Sequence, residues 1–362
     1  MEHTGFQDKD QYTQKANALF ADWKRQHGHI SESSEYSTVP IEINHRSNVF
    51  IRDGVICPEQ WFSPSQEVRP LFLLKEAYGG DKDWDLVQDY LMSHEKITKM
   101  WNRISHWTYG LTSTTADCIA PYIPDLPVGS FGNAYLCQAA AINIRKSGGG
   151  KNSSMDVIRS YAAFDAKRLL EQLQLCDPTV IVCCYTGSAL DIIWKEANGS
   201  VARTPHNENL YYTIRLNQHD VLVLDYWHPA NQYPDIMNYY SLMAIYQMAL
   251  KDRERKKWKM NVICFGDSNT YGYDPRGYFG GRYNADCRWV DILSAATGWT
   301  IRNLGQNGRE IPYSSLAFPS DTDLLIVMLG PTICSRAEAR SRPPSGWNGS
   351  SPASPWIEAG SC

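Results

Sequence analysis

The sequence lacks any uninterrupted apolar run of about 18 residues, so no membrane-spanning helix is expected. Its ten cysteines are scattered, and no pair has zinc-site spacing, so no metal is expected. Charge of one sign is not in excess: 35 Lys and Arg against 39 Asp and Glu leave a net −4. That balance gives no global electrostatic footprint for nucleic acid, although it leaves room for a local basic groove. Met1 to Lys24 is polar and charged, without the apolar core of a signal peptide. These absences predict a cytoplasmic protein with free thiols, no membrane partner and no cofactor. Histidine is also missing after His228.

What is present is ordinary globular material: 362 residues, 43% hydrophobic and 20% charged, enough for two cores. The 12 tryptophans and 21 tyrosines are assigned to packing. Ala16, Leu19, Phe20 and Trp23 have helical spacing and predict a helix over 10–27. A buried strand is expected at Pro70–Leu74, running into a loop at Lys75–Gly80, and a helix over Trp84–Trp107. A second strand is expected from Ala134 to Ile144, followed by a loop at Lys146–Gly150. Met155–Leu175 reads as one helix ending before Asp177-Pro178. A third strand covers Val180–Cys184, a helix Ala189–Ala197, a fourth strand Val221–Leu224, and a closing helix Tyr239–Lys251. Continuous apolar strands alternating with helices mean a sheet covered on both faces, an α/β fold.

Lys251 to Lys259 is a charge run, read as a solvated helix end or a linker. Met260-Asn261-Val262 then has the look of the start of a second protein. The expectation is a first domain over 1–250, a linker over 251–259 and a second domain over 260–330. The two would come from joined reading frames, an idea that a transcript encoding them separately would sink.

In the second half the apolar run Val262-Ile263-Cys264-Phe265 stops at Gly266-Asp267-Ser268-Asn269. A buried strand ending in such a corner presents a serine hydroxyl at the carboxyl edge of a sheet. With Asn303-Leu304-Gly305-Gln306-Asn307-Gly308 and the strand Asp323–Gly330, this half resembles the SGNH (GDSL-type) hydrolases. The resemblance implies a flavodoxin-like α/β/α fold and hydrolysis of a small-molecule ester. It makes Ser268 the nucleophile, on a turn with Gly266, Asp267 and Asn269, and makes the amides of Ser268 and Gly308 oxyanion donors. The family further needs a Gly-x-Asn-Asp block and an Asp/His pair. Here Gly330-Pro331-Thr332-Ile333-Cys334 stands in place of the block, and no histidine follows.

Residues 331–362 are rich in Ser, Pro, Arg and Gly and read as disordered. One base out of register, the codons of 330–337 can spell Gly-Thr-Asn-Asp-Leu-Leu-Gln-Gly, and those near Trp347 an amphipathic helix. The expectation is a single-base deletion near the codon of Pro331, decided by resequencing. This half is therefore expected to be a truncated, inactive hydrolase, because losing the base costs orders of magnitude in rate.

In the first half four segments follow one another: Leu73-Leu74-Lys75-Glu76-Ala77-Tyr78-Gly79, Ala141-Ile142-Asn143-Ile144-Arg145-Lys146, Asp177–Val182 and Trp227-His228-Pro229-Ala230. Their order and spacing resemble the uracil-DNA glycosylase superfamily, which implies a three-layer α/β/α domain and a nucleobase or DNA as ligand. By that resemblance Glu76 positions the attacking water, Asn143 reads the base edge and His228 approaches the flipped nucleotide. Lys75 departs from the family, which has Gly there. Equally, Glu76 pairs with Lys75 or Arg145 at a loop, and His228 caps a strand. A module that binds a nucleotide or nucleic acid without chemistry is the alternative. Lys146–Lys151 lacks the spacing of a phosphate-binding P-loop.

Overall fold

In the computed structural model the chain forms two units, residues 1–254 and 255–362. The structure describes residues 9–93, 98–126, 135–150, 152–199, 204–206, 210–257, 260–276, 281–310 and 316–329. Residues 331–362, and with them the expected out-of-frame tail, lie outside the described residues.

The first unit begins with α1 (Lys9–Trp23), β1 (His27–Ile30), β2 (Ile41–Asn44), β3 (Ile51–Arg52), β4 (Gly54–Val55) and α2 (Pro58–Trp61). Next come β5 (Pro70–Tyr78), β6 (Trp84–Asp85), α3 (Lys99–Ser113), β7 (Ala140–Gly149), α4 (Met155–Phe164), α5 (Ala166–Cys176), β8 (Val180–Cys184) and α6 (Gly187–Asn198). It closes with β9 (Thr204–His206), β10 (Tyr211–Leu216), β11 (His219–Tyr226) and α7 (Asp235–Lys257).

Its main sheet has the order β4-β7-β5-β8-β11-β10-β9. β7, β5, β8 and β11 are mutually parallel, and antiparallel strands complete both edges. Alternate residues of the parallel strands feed two cores. Leu71, Leu73, Ile142, Ile181 and Val223 pack on one face with α1, α4, α5 and α6. Phe72, Leu74, Val182, Cys184 and Leu224 pack on the other with α3 and α7. Helices therefore cover both faces, as strands apolar at every position require. The chain leaves β5 for β7 on one side and returns to β8 on the other. In a doubly wound sheet that reversal opens a crevice at the carboxyl ends of the strands.

Several expectations are corrected. The helix expected over 10–27 stops at Trp23, because His27–Ile30 turns away to pair with β2. Trp84–Trp107 is not one helix. Trp84-Asp85 pairs with β3, the Asp85 carboxylate caps a short wide turn over Leu86–Leu91 by accepting from the Val87 and Gln88 amides, and α3 starts only at Lys99. β5 and β7 run past their apolar stretches through the segments expected to be loops. Their polar residues are paired there: Glu76 lies beside Arg145 in register and Lys146 meets Asp53. β7 also starts later than expected, after a turn at Leu136–Gln138; Ala134 lies outside the described residues. Met155–Leu175 is two helices, broken at Asp165, whose buried carboxylate reaches the His45 ring at 2.9 Å. The thiols are not all free: Cys57 and Cys137 form a disulfide, brought together because Val55 pairs with Ala140 antiparallel. The charge run continues α7 as far as Lys257.

The second unit contains β12 (Asn261–Gly266), α8 (Ser268–Tyr271), α9 (Trp289–Thr297), β13 (Thr300–Gly305) and β14 (Leu324–Met328). The strands form a parallel sheet of order β13-β12-β14. Val262 and Cys264 pack with Val290 of α9 on one face. On the other face Ile263 and Phe265 of the central strand are buried, whereas Leu304 of β13 and Leu325 and Val327 of β14 are 36%, 39% and 55% exposed, so among the described residues the two outer strands of this sheet are open on that side.

No helix among the described residues is long and apolar enough to cross a membrane.

Candidate functional site

A cavity of about 1310 Å³ opens at the carboxyl ends of β5 and β7. Glu76, Asn143 and His228, which come from three separate segments, all line it, together with Lys75, Trp84 and Tyr90. β5 and β7 are hydrogen-bonded neighbours, with Leu74 opposite Asn143 and Glu76 opposite Arg145, which sets the first two residues side by side. His228 arrives on the loop between β11 and α7. The buried Arg103 of α3 holds that loop by donating to the carbonyls of Pro229 (2.7 Å), Asn231 (3.1 Å) and Tyr233 (3.1 Å) and to the Asp235 carboxylate.

Asn143 is buried and fixed. Its backbone amide and its Nδ2 both donate to Asp53 Oδ2, at 2.8 and 3.1 Å. Asp53 also accepts from Lys146 Nζ at 2.5 Å and Gln172 Nε2 at 2.9 Å. The side-chain bond uses one of the two Nδ2 hydrogens and fixes the amide, leaving its Oδ1 as an acceptor and its second N–H as a donor. Burial pushes the Lys146 ammonium below its ordinary value, against the pull of Asp53.

Glu76 is committed too. One carboxylate oxygen accepts from Arg145 Nη1 at 2.9 Å and the other from Ser153 Oγ at 2.6 Å. A Cβ at Gly149 would overlap the Glu76 side chain, so glycine there is what lets β7 pass this carboxylate.

His228 is half-buried. Burial, and then the neighbouring Lys75 charge, push it down to about 4 from its ordinary 6.5. It is therefore a neutral imidazole at physiological pH. Its Nδ1 accepts from the Ala230 amide at 3.2 Å, which assigns the remaining proton to Nε2. The ring thus offers the cavity a neutral N–H donor. Lys75 is half-buried and pushed below its ordinary value by that burial; its Nζ lies 4.5 Å over the Tyr185 ring.

The second-unit motif is assembled as a turn. Asp267 is buried and caps α8 by accepting from the Asn269 amide at 2.9 Å. A Cβ at Gly266 would overlap the Met328 carbonyl and the Thr270 side chain, so this corner requires glycine. Asn303 Nδ2 donates to the Thr270 carbonyl and the Gln306 amide donates to the Gly266 carbonyl, tying the segment that carries Gly308 to the corner that carries Ser268. Ser268 is half-buried, and its hydroxyl has no hydrogen-bond partner among the described residues. Residues 260–362 contain no histidine to act as its base.

Three participants escaped the sequence. Asp53 sits beside a two-residue strand too short to leave a periodic signal, and Arg103 and Gln172 lie on the inner faces of helices whose apolar spacing drew attention instead. No protein-family model matches the chain, and no curated protein matches it.

Proposed function

We propose that the first unit binds a nucleobase in the cavity and hydrolyses its bond to a sugar. The observation that carries this is the convergence of Glu76, Asn143 and His228 on one cavity at the carboxyl edge of a doubly wound sheet. Asn143 Oδ1 accepts from a ring N–H of the base. The His228 Nε2–H meets a base oxygen on which negative charge grows as the carbon–nitrogen bond breaks. A neutral donor suits that task, because it stabilises the leaving base without being neutralised by it. Water adds to the sugar carbon and gives up one proton to solvent, the base departs with the bonding pair and takes up a proton from solvent, and Glu76 orients the water. The order of the four sequence segments, which resembles that of uracil-DNA glycosylases, supports the same reading, and an α/β fold is in keeping with it.

One observation favours the alternative, a module that binds a nucleotide without chemistry: both Glu76 oxygens are already engaged, by Arg145 and Ser153. Release of free base from deoxyuridine or uracil-containing oligonucleotides by the full chain separates the two. Release that is lost in Glu76→Gln and His228→Ala supports hydrolysis. Binding without release of any base supports the module.

For the second unit the proposal is a relic of an SGNH-type ester hydrolase. It keeps the Ser268 corner and the Gly308 loop, and residues 260–362 contain no histidine. Ester hydrolysis by the full chain that disappears in Ser268→Ala would overturn this.

A further inference from the structure

Beside the cavity three large aromatic side chains stand in the open: Tyr185, Trp227 and Tyr233 are 51%, 49% and 53% exposed. Tyr185 and Trp227 stack with ring centroids 6.3 Å apart and planes 11° apart. Tyr233 meets Trp227 edge-on at 6.1 Å. Isolated exposed aromatics need no explanation, but a stacked group beside a cavity does. Its construction is also costly. Tyr185 directly follows β8 with φ +60°, a left-handed conformation that bulky residues avoid. Its amide donates to the Tyr226 carbonyl at 2.7 Å, so the strained residue is locked to the end of β11. The result is an exposed aromatic stack across the ends of two strands, at the same sheet edge as the cavity.

Lys75 joins the two. It lines the cavity, and its ammonium lies over the Tyr185 ring. Among the described residues it has no carboxylate partner, since adjacent Glu76 is bound to Arg145 and Ser153.

We infer that Tyr185 and Trp227 form a stacking platform for a second base, joined through a phosphate at Lys75 to the base held in the cavity. The ligand class is a single-stranded dinucleotide step. This rests on the reading of the cavity as a base pocket. An unpaired strand is required, because a base inside a duplex has both faces covered by its neighbours. The remainder of the unit argues against a longer footprint. Residues 1–254 carry 23 Lys and Arg against 30 Asp and Glu, a net −7, which repels an extended polyanion. Stacking and a single phosphate contact should therefore carry the affinity, with a shallow salt dependence.

The test uses the full chain and 2′-deoxypseudouridine, whose base is attached through carbon and cannot be released. Its binding is compared by calorimetry with that of the 3′–5′ dinucleotide joining it to thymidine. The dinucleotide should bind at least about tenfold more tightly, as one stacked base contributes. Its log Kd should rise with log salt with a slope of about 0.7, the value for one phosphate on a single strand. Trp227→Ala should remove most of the dinucleotide's preference and leave only the salt-dependent part from the phosphate, Trp227→Phe should keep most of the preference, and Lys75→Gln should abolish the salt slope. A dinucleotide that binds no more tightly than the nucleoside, or a tenfold preference that survives Trp227→Ala, overturns the platform. If the nucleoside binds and Asn143→Ala abolishes that binding while the dinucleotide gains nothing, the platform alone falls. If neither ligand binds, the base-pocket reading falls and the platform with it.

Discussion

Asp53 accepts hydrogen bonds from both the backbone amide and the side-chain amide of Asn143, and the same carboxylate carries the buried ammonium of Lys146. Asp53 and Lys146 are both wholly enclosed, with side chains 0% exposed. Removing one member of such a pair leaves the other charged and unpaired in a low-dielectric interior. Asp53→Ala should cost roughly 3–5 kcal/mol in urea unfolding. The double substitution Asp53→Leu with Lys146→Met should recover most of that loss. It should still weaken nucleobase binding, because Asn143 loses the group that fixes its rotation.

Arg103 plays the corresponding part for His228. Its guanidinium is the common donor to three carbonyls of the loop between β11 and α7 and to the carboxylate of Asp235, the first residue of α7. Arg103→Met should cost roughly 3 kcal/mol, since one buried and two part-buried carbonyls lose a charged donor at once. It should also speed hydrogen exchange in residues 228–234 beyond any global effect. Arg103→Lys should recover less than half, because an ammonium cannot span the same carbonyls as a planar fork.

The parts of this architecture that showed in the sequence are those where burial is uniform. Val180–Cys184 and Val221–Leu224 are apolar at every position because helices cover both faces, and they appear as strands with little change. Legibility failed where polar residues are buried in pairs. Glu76 with Arg145, and Lys146 with Asp53, make the ends of β5 and β7 look like loops, because a sequence does not display which charges will meet. The break at Asp165 has the same origin: its partner His45 lies 120 residues away. Glu76, Asn143 and His228 stood out through the order of their segments. Tyr185 did not, since its left-handed backbone and its stacking on Trp227 exist only once two strands are side by side.

His228 makes stability pH-dependent in a defined window. Its folded value of about 4 lies below the ordinary 6.5, so folding favours the neutral ring. Above about pH 6.5 the ring is neutral in both states and contributes no slope. As pH falls from about 6.5 to 4 the unfolded chain takes up a proton that the folded chain refuses, so stability falls. Below about 4 the loss is complete. The shift corresponds to about 3 kcal/mol in total. Urea unfolding of the first unit between pH 4 and 7.5 should show this decline, and His228→Gln should flatten it. Nucleobase binding should stay level from about pH 5.5 to 8, because the ring remains neutral throughout.

Glu76→Gln tests whether its carboxylate does more than hold Arg145. The amide keeps the size of the side chain and can still accept from Ser153 or Arg145, but it loses the charge that orients water. If the unit hydrolyses nucleosides, base release should fall by roughly 100-fold. The affinity for a non-hydrolysable nucleoside should change less than threefold. Equal losses in binding and release would instead show that Glu76 shapes the cavity and takes no part in the reaction.

The second unit should be the weaker of the two, for a reason visible in its sheet. Val262 and Cys264 are covered by α9, whereas Leu304, Leu325 and Val327 on the opposite face are substantially exposed. Parallel strands depend on burial from both sides, and on this second face only Ile263 and Phe265 of the central strand are buried, so the sheet lacks part of the apolar burial that stabilises β5, β8 and β11. Amides of β12–β14 should exchange with solvent well before those of the first unit's parallel strands. The joint substitution of Leu325 and Val327 by Lys should change stability by no more than about 0.5 kcal/mol per site, as expected at exposed positions. It should also reduce binding of a hydrophobic dye by the full chain. Val262→Asp, on the covered face, should abolish protection throughout β12–β14 while leaving the unfolding midpoint of the first unit unchanged. Destabilisation by the two lysines as large as that from Val262→Asp would mean that the open face is covered in solution.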